Sequence, residues 1–251
     1  MQMPTEIIAM HSHRGGTGRS TLAANLARLM ADQGRRVALV DTDIQSPAAH
    51  VLFALGEWQP CRTLADYLIG RCEVEQAALP VRSEAGALFV VPARGEASGI
   101  HEIIAQGYDV GLLREGFDRL AFGLRLDVLV LDTHAGINNE TVTAVASADT
   151  LAMVTRSCRL DLSGAGETIE FSRQLGSPRQ ALLVNLVPPG ITGEAAGRRA
   201  AAAFGTPAAA VLPYTPELAT VAGARLFVDA HPDHPLVERF RTIIPALLSR
   251  G

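Results

Sequence analysis

His11-Ser-His-Arg14-Gly-Gly-Thr-Gly-Arg19-Ser-Thr21 decides the reading of this chain, and it follows an apolar run, Ile7-Ile-Ala-Met10. A buried strand feeds a glycine-rich turn, and the turn opens a helix. Gly15, Gly16 and Gly18 let the backbone bend so that successive N–H groups face one concavity. That concavity, with the helix N-terminus behind it, attracts anionic oxygens. The pattern is that of a phosphate-binding loop, with Ser20 where such loops place the hydroxyl that binds Mg²⁺. Arg19 stands where the loop's lysine belongs, and a second arginine, Arg14, opens the loop. Lysine is absent from all 251 residues, so the 22 basic residues are all arginine. With Ala, Arg, Gly and Pro abundant, codon usage in a GC-rich genome accounts for that absence most simply.

Three further pieces follow in order. Val37-Ala-Leu-Val-Asp41-Thr-Asp43-Ile-Gln45 ends a strand with two carboxylates one residue apart. Such strand ends open onto the crevice where ligands of open α/β sheets bind. Leu126-Asp-Val-Leu-Val-Leu-Asp132-Thr-His-Ala-Gly136 ends another strand on a carboxylate suited to a magnesium-water shell, and Gly136 lets the loop after it bend around a γ-phosphate. Leu182-Leu-Val-Asn185 ends a third strand on an amide that can exchange paired hydrogen bonds with a purine edge.

Taken together, Gly15-Gly16-Thr17-Gly18-x-Ser20-Thr21, Asp41-x-Asp43-x-Gln45, Asp132-Thr133-x-x-Gly136 and Asn185 resemble the MinD/ParA family of deviant Walker A ATPases. The resemblance runs from residue 11 to the Leu212-Pro213 segment. It implies a three-layer fold, a mostly parallel sheet flanked by helices on both faces, and ATP with Mg²⁺ as ligands. It also implies a homodimer that closes face to face across two nucleotides and recruits a protein partner, so as to position, partition or regulate a cargo or assembly. By the same resemblance Arg14 matches the signature lysine that reaches the partner's phosphates, Arg19 the loop lysine, and Asp43 the carboxylate that positions attacking water. These three are the expected catalytic residues. Arg14, Gly15, Gly16, Thr17, Gly18, Arg19, Ser20, Thr21, Asn185 and the backbone near Pro213 are expected to hold the nucleotide. Ser20 and Asp132 are expected around the metal, with Asp41 behind them or acting as a capping carboxylate. The residue after Asn185, often basic in the family, is Leu186 here. A guanidinium at position 19 keeps charge and donors but is longer and flatter than an ammonium. Slow ATP hydrolysis is therefore one expectation, and a non-hydrolysing adaptor that keeps the fold and dimer surface is the other.

Short apolar runs alternating with helical patterns predict strands at Ile7–His11, Val37–Asp41, Leu88–Pro92, Val128–Asp132, Thr150–Val154, Ala181–Val187 and Ala209–Leu212. Helices are predicted at Ser20–Asp32, Arg114–Phe122, Thr141–Ala148 and Glu194–Phe204, with Arg198 and Arg199 outward. One nucleotide-binding domain over residues 1–251 is the simplest organisation at this length. Cys61, Cys72 and Cys158 are too widely spaced for a disulfide framework, and Met1 to Thr5 lead almost directly into a strand. Both point to the cytoplasm. A net charge of −4 gives no support for a nucleic-acid or membrane surface, although Arg173, Arg179, Arg198 and Arg199 could form a local basic face. Leu236–Leu248 reads as a core-facing segment interrupted at Pro245 rather than a membrane-binding helix. His11 and His13 read as loop-packing residues, with no third ligand for a metal, and His134 as an exposed loop residue.

Overall fold

Strands buried on both faces need little alternation, because each side chain meets a helix layer whichever way it points. The computed structural model shows this directly; it describes residues 4–55, 62–94, 107–176, 179–221 and 225–248. Cys61 lies outside them. Eight strands form one sheet: β1 (Glu6–His11), β2 (Arg36–Asp41), β3 (Leu79–Val81), β4 (Ala87–Val91), β5 (Val128–Asp132), β6 (Thr150–Thr155), β7 (Arg179–Val187) and β8 (Ala208–Pro213). Their order is β3-β4-β2-β5-β1-β6-β7-β8, parallel throughout except for β3, which pairs antiparallel with β4 at the edge. The helices among the described residues are α1 (Arg19–Asp32), α2 (Ala49–Leu52), α3 (Leu64–Leu68), α4 (Gly111–Gly123), α5 (Asn139–Ser147), α6 (Arg159–Gln174), α7 (Gly193–Phe204), α8 (Pro216–Val221), α9 (Phe227–Ala230) and α10 (Pro235–Leu247).

One face of the sheet packs Ile8, Met10, Leu39 and Val130 against Leu22, Leu26 and Met30 of α1 and Phe240, Ile243 and Ile244 of α10. The other face divides in two. Val40, Leu129 and Leu131 meet α3 and α4 through Leu64, Leu68, Leu113 and Phe117. Leu151, Met153 and Val184 meet α5, α6 and α7 through Val145, Leu162, Ile169 and Ala200. Each large apolar side chain buried this way contributes about 1.5–3 kcal/mol before entropy is charged against it.

All seven expected strands are present, while β3 and the helices α2, α3, α6, α8 and α9 are additions. β3 carries Pro80, which an edge strand tolerates because one row of N–H groups faces away from the sheet. α6 carries Gly164 and Gly166 in its interior, and glycine lowers helix propensity by about 1 kcal/mol, so its periodicity is weak. α10 runs through Pro245 to Leu247 rather than breaking there. The proline sits in the last turn on the exposed side; it forgoes the helical bond to the Arg241 carbonyl, and only two residues of the helix follow it. Leu236, Phe240, Ile243 and Leu247 are all buried, so this segment is core. No helix of the described residues is long and apolar enough to cross a membrane.

Candidate functional site

The parallel register places the C-terminal ends of β1, β2 and β5 side by side, with Met10 opposite Asp132 and Asp41 opposite Asp132. Between β1 and α1 the chain makes the glycine turn. Gly16 (φ 73°) and Gly18 (φ 81°) adopt left-handed backbone, and Gly18 caps α1. A Cβ on Gly18 would stand 2.5 Å from Asn185 Nδ2, so only glycine lets the loop lie this close to β7. Asn185 Nδ2 donates to the Thr17 carbonyl at 2.8 Å and braces the loop from behind. On the other side the Gly136 N–H donates to the Ser12 carbonyl at 3.1 Å and ties the loop after β5 to the glycine turn. The cavity they enclose measures about 390 Å³ and is lined by Ser12, Gly15–Thr21, Asp43, Ser46, His134 and Ala135. That volume suits a small-molecule ligand. Thr17 Oγ1 and His134 Nδ1, in two of the lining residues, are buried without a hydrogen-bond partner. Orphaned polar atoms of this kind call for a partner, water or ligand, and two of the four among the described residues are in this lining.

The floor of this cavity is a buried ionic cluster. Arg19, at 8% exposure, donates from Nε to Asp132 Oδ1 at 2.6 Å and from Nη2 to Ser20 Oγ at 3.2 Å and Asp43 Oδ2 at 3.3 Å. It occupies the first residue of α1, where the helix dipole disfavours a cation, so the carboxylates must offset that as well as its desolvation. Burial pulls the guanidinium's pKa down, but Asp132 foremost, with Asp43 and Asp41, raises it above its ordinary value. Burial raises the Asp132 carboxyl in turn, against Arg19 and the Ser20 hydroxyl. Asp41 is pushed up to about 7 by burial and then by Asp132, against the pull of three backbone N–H donors. Beside the floor, His11 Nδ1 bonds Thr133 Oγ1 at 2.7 Å. Burial, then the neighbouring charge of Arg19, lowers its pKa to about 3, so His11 is neutral.

The mouth differs. Arg14 is half exposed and reaches Asp161 only at 3.9 Å, while Arg156 Nε donates to Asp161 Oδ2 at 2.5 Å. His13 packs flat on α6, where a Cβ on Gly164 would fall 2.0 Å from its Cδ2. The interior glycine that weakens α6 as a sequence pattern is thus what lets the loop sit against it. No spacing rule links residue 161 to residue 14, so the Arg14–Asp161–Arg156 cluster carries no sequence signal. Gly164 in a helix interior is the one clue to a close approach.

The structure gathers Gly15–Thr21 and Asp43 around one cavity, with Asp132 buried beneath it against Arg19. The other residues singled out in the sequence, Asp41, Asn185, Pro213 and His134, take the following places. Both oxygens of Asp41 receive backbone N–H groups, from Asp43 at 3.0 Å, Ala48 at 2.8 Å and Ala49 at 2.9 Å, so Asp41 fixes the β2–α2 loop as a capping carboxylate, one of its two expected roles. Asn185 is buried behind the loop with one amide N–H spent on Thr17, and it follows β7 into a bulge where Leu186 takes φ 55°. Pro213 is exposed at the end of β8 and does not line the cavity. His134 is half-buried against the cavity rather than exposed. Ser20, Asp132 and Asp43 are hard oxygen donors of the kind Mg²⁺ takes and so fit that ion chemically; Arg19 holds all three.

The family model described as AAA domain matches residues 5–181. The antiactivator FleN of Pseudomonas aeruginosa is 34% identical over 184 residues, 73% of this chain and 62% of FleN. The chromosome partitioning protein ParA of Caulobacter vibrioides is 31% identical over 147 residues, 58% of this chain and 54% of ParA. The chain thus spans less than two thirds of either relative's length. Among solved structures, MinD of Pyrococcus furiosus superposes with a TM-score of 0.80 at 22% identity, covering 96% of this chain and 97% of that one. MinD of Pyrococcus horikoshii, solved with Mg-ADP, gives 0.82 at 20% identity over 98% and 96%. At these identities the structural likeness speaks for the fold.

Proposed function

Because the chain belongs to the MinD/ParA family of P-loop ATPases, we propose that it is an ATP-binding dimerisation switch over one nucleotide-binding domain. The observation that carries the reading is the cavity of about 390 Å³ whose rim is a glycine loop and whose floor is Arg19, Ser20 and Asp43, with Asp132 paired to Arg19 beneath it. Backbone N–H groups of Gly15–Thr21 would cradle the phosphates, and Thr17 Oγ1 would find its partner there. When bound, Mg²⁺ would neutralise charge on the β- and γ-oxygens, held by Ser20 and Asp132. Asp43 would orient the attacking water, and Arg14, free enough at the mouth to reach a second subunit, would meet the partner's phosphates as an arginine finger does. The adenine would lie beyond the described cavity, toward Asn185 and the Pro213 backbone. The work of the switch would be to position, partition or regulate a cellular cargo through a protein partner, in the cytoplasm, as relatives named for partitioning and septum siting suggest.

One observation favours a second reading. Arg19 engages both Asp43 and Asp132, the carboxylates that turnover needs, and this suits a non-hydrolysing adaptor. Solution mass with no nucleotide, with ADP and with ATP plus Mg²⁺, with phosphate release followed on the same sample, separates the two. The switch predicts a dimer with ATP alone and slow phosphate release. A dimer with no release supports the adaptor, and unchanged mass at saturating ATP removes the switch.

A further inference from the structure

We propose that Arg19 is a displaceable stopper in the metal position, so that divalent metal is shut out until phosphate draws the guanidinium away. The inference rests on the nucleotide reading above for the metal position and for displacement by phosphate. The block itself rests on geometry. Arg19 Nη2 lies 3.2 Å from Ser20 Oγ and 3.3 Å from Asp43 Oδ2, while Nε lies 2.6 Å from Asp132 Oδ1. Mg²⁺ requires oxygens at about 2.1 Å in an octahedral shell that keeps several waters. An ion held by Ser20 with its waters reaching Asp132 would overlap the guanidinium plane, and the two cations would repel. Arginine makes this block more complete than lysine does. Its planar fork donates to three oxygens at once, whereas an ammonium is a single point of charge on a shorter reach.

The energetics say when the stopper leaves. Removing one partner from a buried ion pair is strongly unfavourable because the other charge is left buried alone. Metal without nucleotide would satisfy Asp132 and Asp43 but strand Arg19 in the interior. Nucleotide without metal would satisfy Arg19, whose fork suits phosphate as well as carboxylate, but strand the carboxylates. Only the two together replace both halves of the Arg19 cluster. Arg19 therefore makes metal and nucleotide binding depend on each other, and by linkage the dependence is reciprocal.

Mn²⁺, used in place of Mg²⁺ and followed by electron paramagnetic resonance, reads this directly. Without nucleotide, the full chain is expected to bind Mn²⁺ at least about tenfold more weakly than Arg19→Ala, and only the variant should gain melting temperature from added Mg²⁺. Arg19→Lys and Arg19→Gln carry the same comparison should Arg19→Ala fail to fold. Equal Mn²⁺ affinity in the parent and the variants would overturn the exclusion. With a fluorescent ATP analogue bound, the parent should retain Mn²⁺ through gel filtration. If the analogue binds and Mn²⁺ is still refused, displacement is wrong. If the analogue binds neither with metal nor in EDTA, the nucleotide reading itself is wrong and displacement falls with it, while the metal-only comparison still decides the exclusion.

Discussion

Arg14 and Arg19 stand in the same loop, and the mouth and the floor make different things of them. Arg14 is 46% exposed on its side chain and has one distant carboxylate at 3.9 Å. Arg19 is 8% exposed, with three oxygen partners and two ion pairs. The residue type is the same, so environment alone separates a mobile surface charge from a buried structural cation. At the mouth, water screens the charge and weakens its hold on Asp161, which suits the proposed reach to a partner subunit. On the floor, low polarizability makes each carboxylate contact count and makes each missing one costly.

The largest expected break in this comparison is Arg19→Ala. It leaves Asp132, Asp43 and Asp41 buried without their cation and should cost about 3–5 kcal/mol of stability in urea unfolding. A loss below about 1 kcal/mol would mean that the floor is wetter than its geometry implies.

Acid sharpens the comparison next. His11 has its folded pKa lowered from 6.5 to about 3, by burial first and Arg19 second, so the fold favours the neutral ring. Its contribution to stability is fully present above pH 6.5 and is lost as pH falls from there toward 3. The slope for one proton is about 1.4 kcal/mol per pH unit, which gives a loss of about 2–3 kcal/mol by pH 4.5. His11→Asn should flatten that limb of the stability profile. An unchanged acid limb would place the proton uptake elsewhere.

A third test probes how the mouth is built. Gly164→Ala puts a methyl group into the His13 ring and should cost about 1–3 kcal/mol. His13→Ala in the same chain should recover most of it, and a purely additive double variant would contradict the contact. The smallest effect is expected for Arg14→Ala, within about 0.5 kcal/mol of the parent in stability, because a half-exposed ion pair at long range contributes little.

The floor was largely legible in the sequence because loop, strand-end carboxylates and hydroxyl each carry a local signature. Gly15–Thr21, Asp43 and Asp132 meet where their strand ends imply. What Arg19 does there was not legible, since a motif fixes where a side chain starts and not which carboxylates it reaches. Asp41 and Asp43 show the same limit. Asp41 ends β2 and Asp43 follows two residues on with the same chemistry, yet backbone N–H groups take both oxygens of the first while the second lines the cavity. The parallel strands were legible because burial on both faces writes itself as unbroken apolar runs. β3 and α6 were not, because Pro80, Gly164 and Gly166 are local departures that only the edge position and the His13 contact explain.

Solution mass of Arg14→Ala beside the parent, each with ATP and Mg²⁺, is the most direct test of a floor that binds and a mouth that couples. The parent should become a dimer. Arg14→Ala should still bind a fluorescent ATP analogue within about threefold of the parent yet stay a monomer, since its floor is intact and one charged contact to the partner, a difference of about 1.5–3 kcal/mol, is gone. A variant that dimerises as the parent does, or one that loses nucleotide binding outright, would contradict the division of labour between the two arginines.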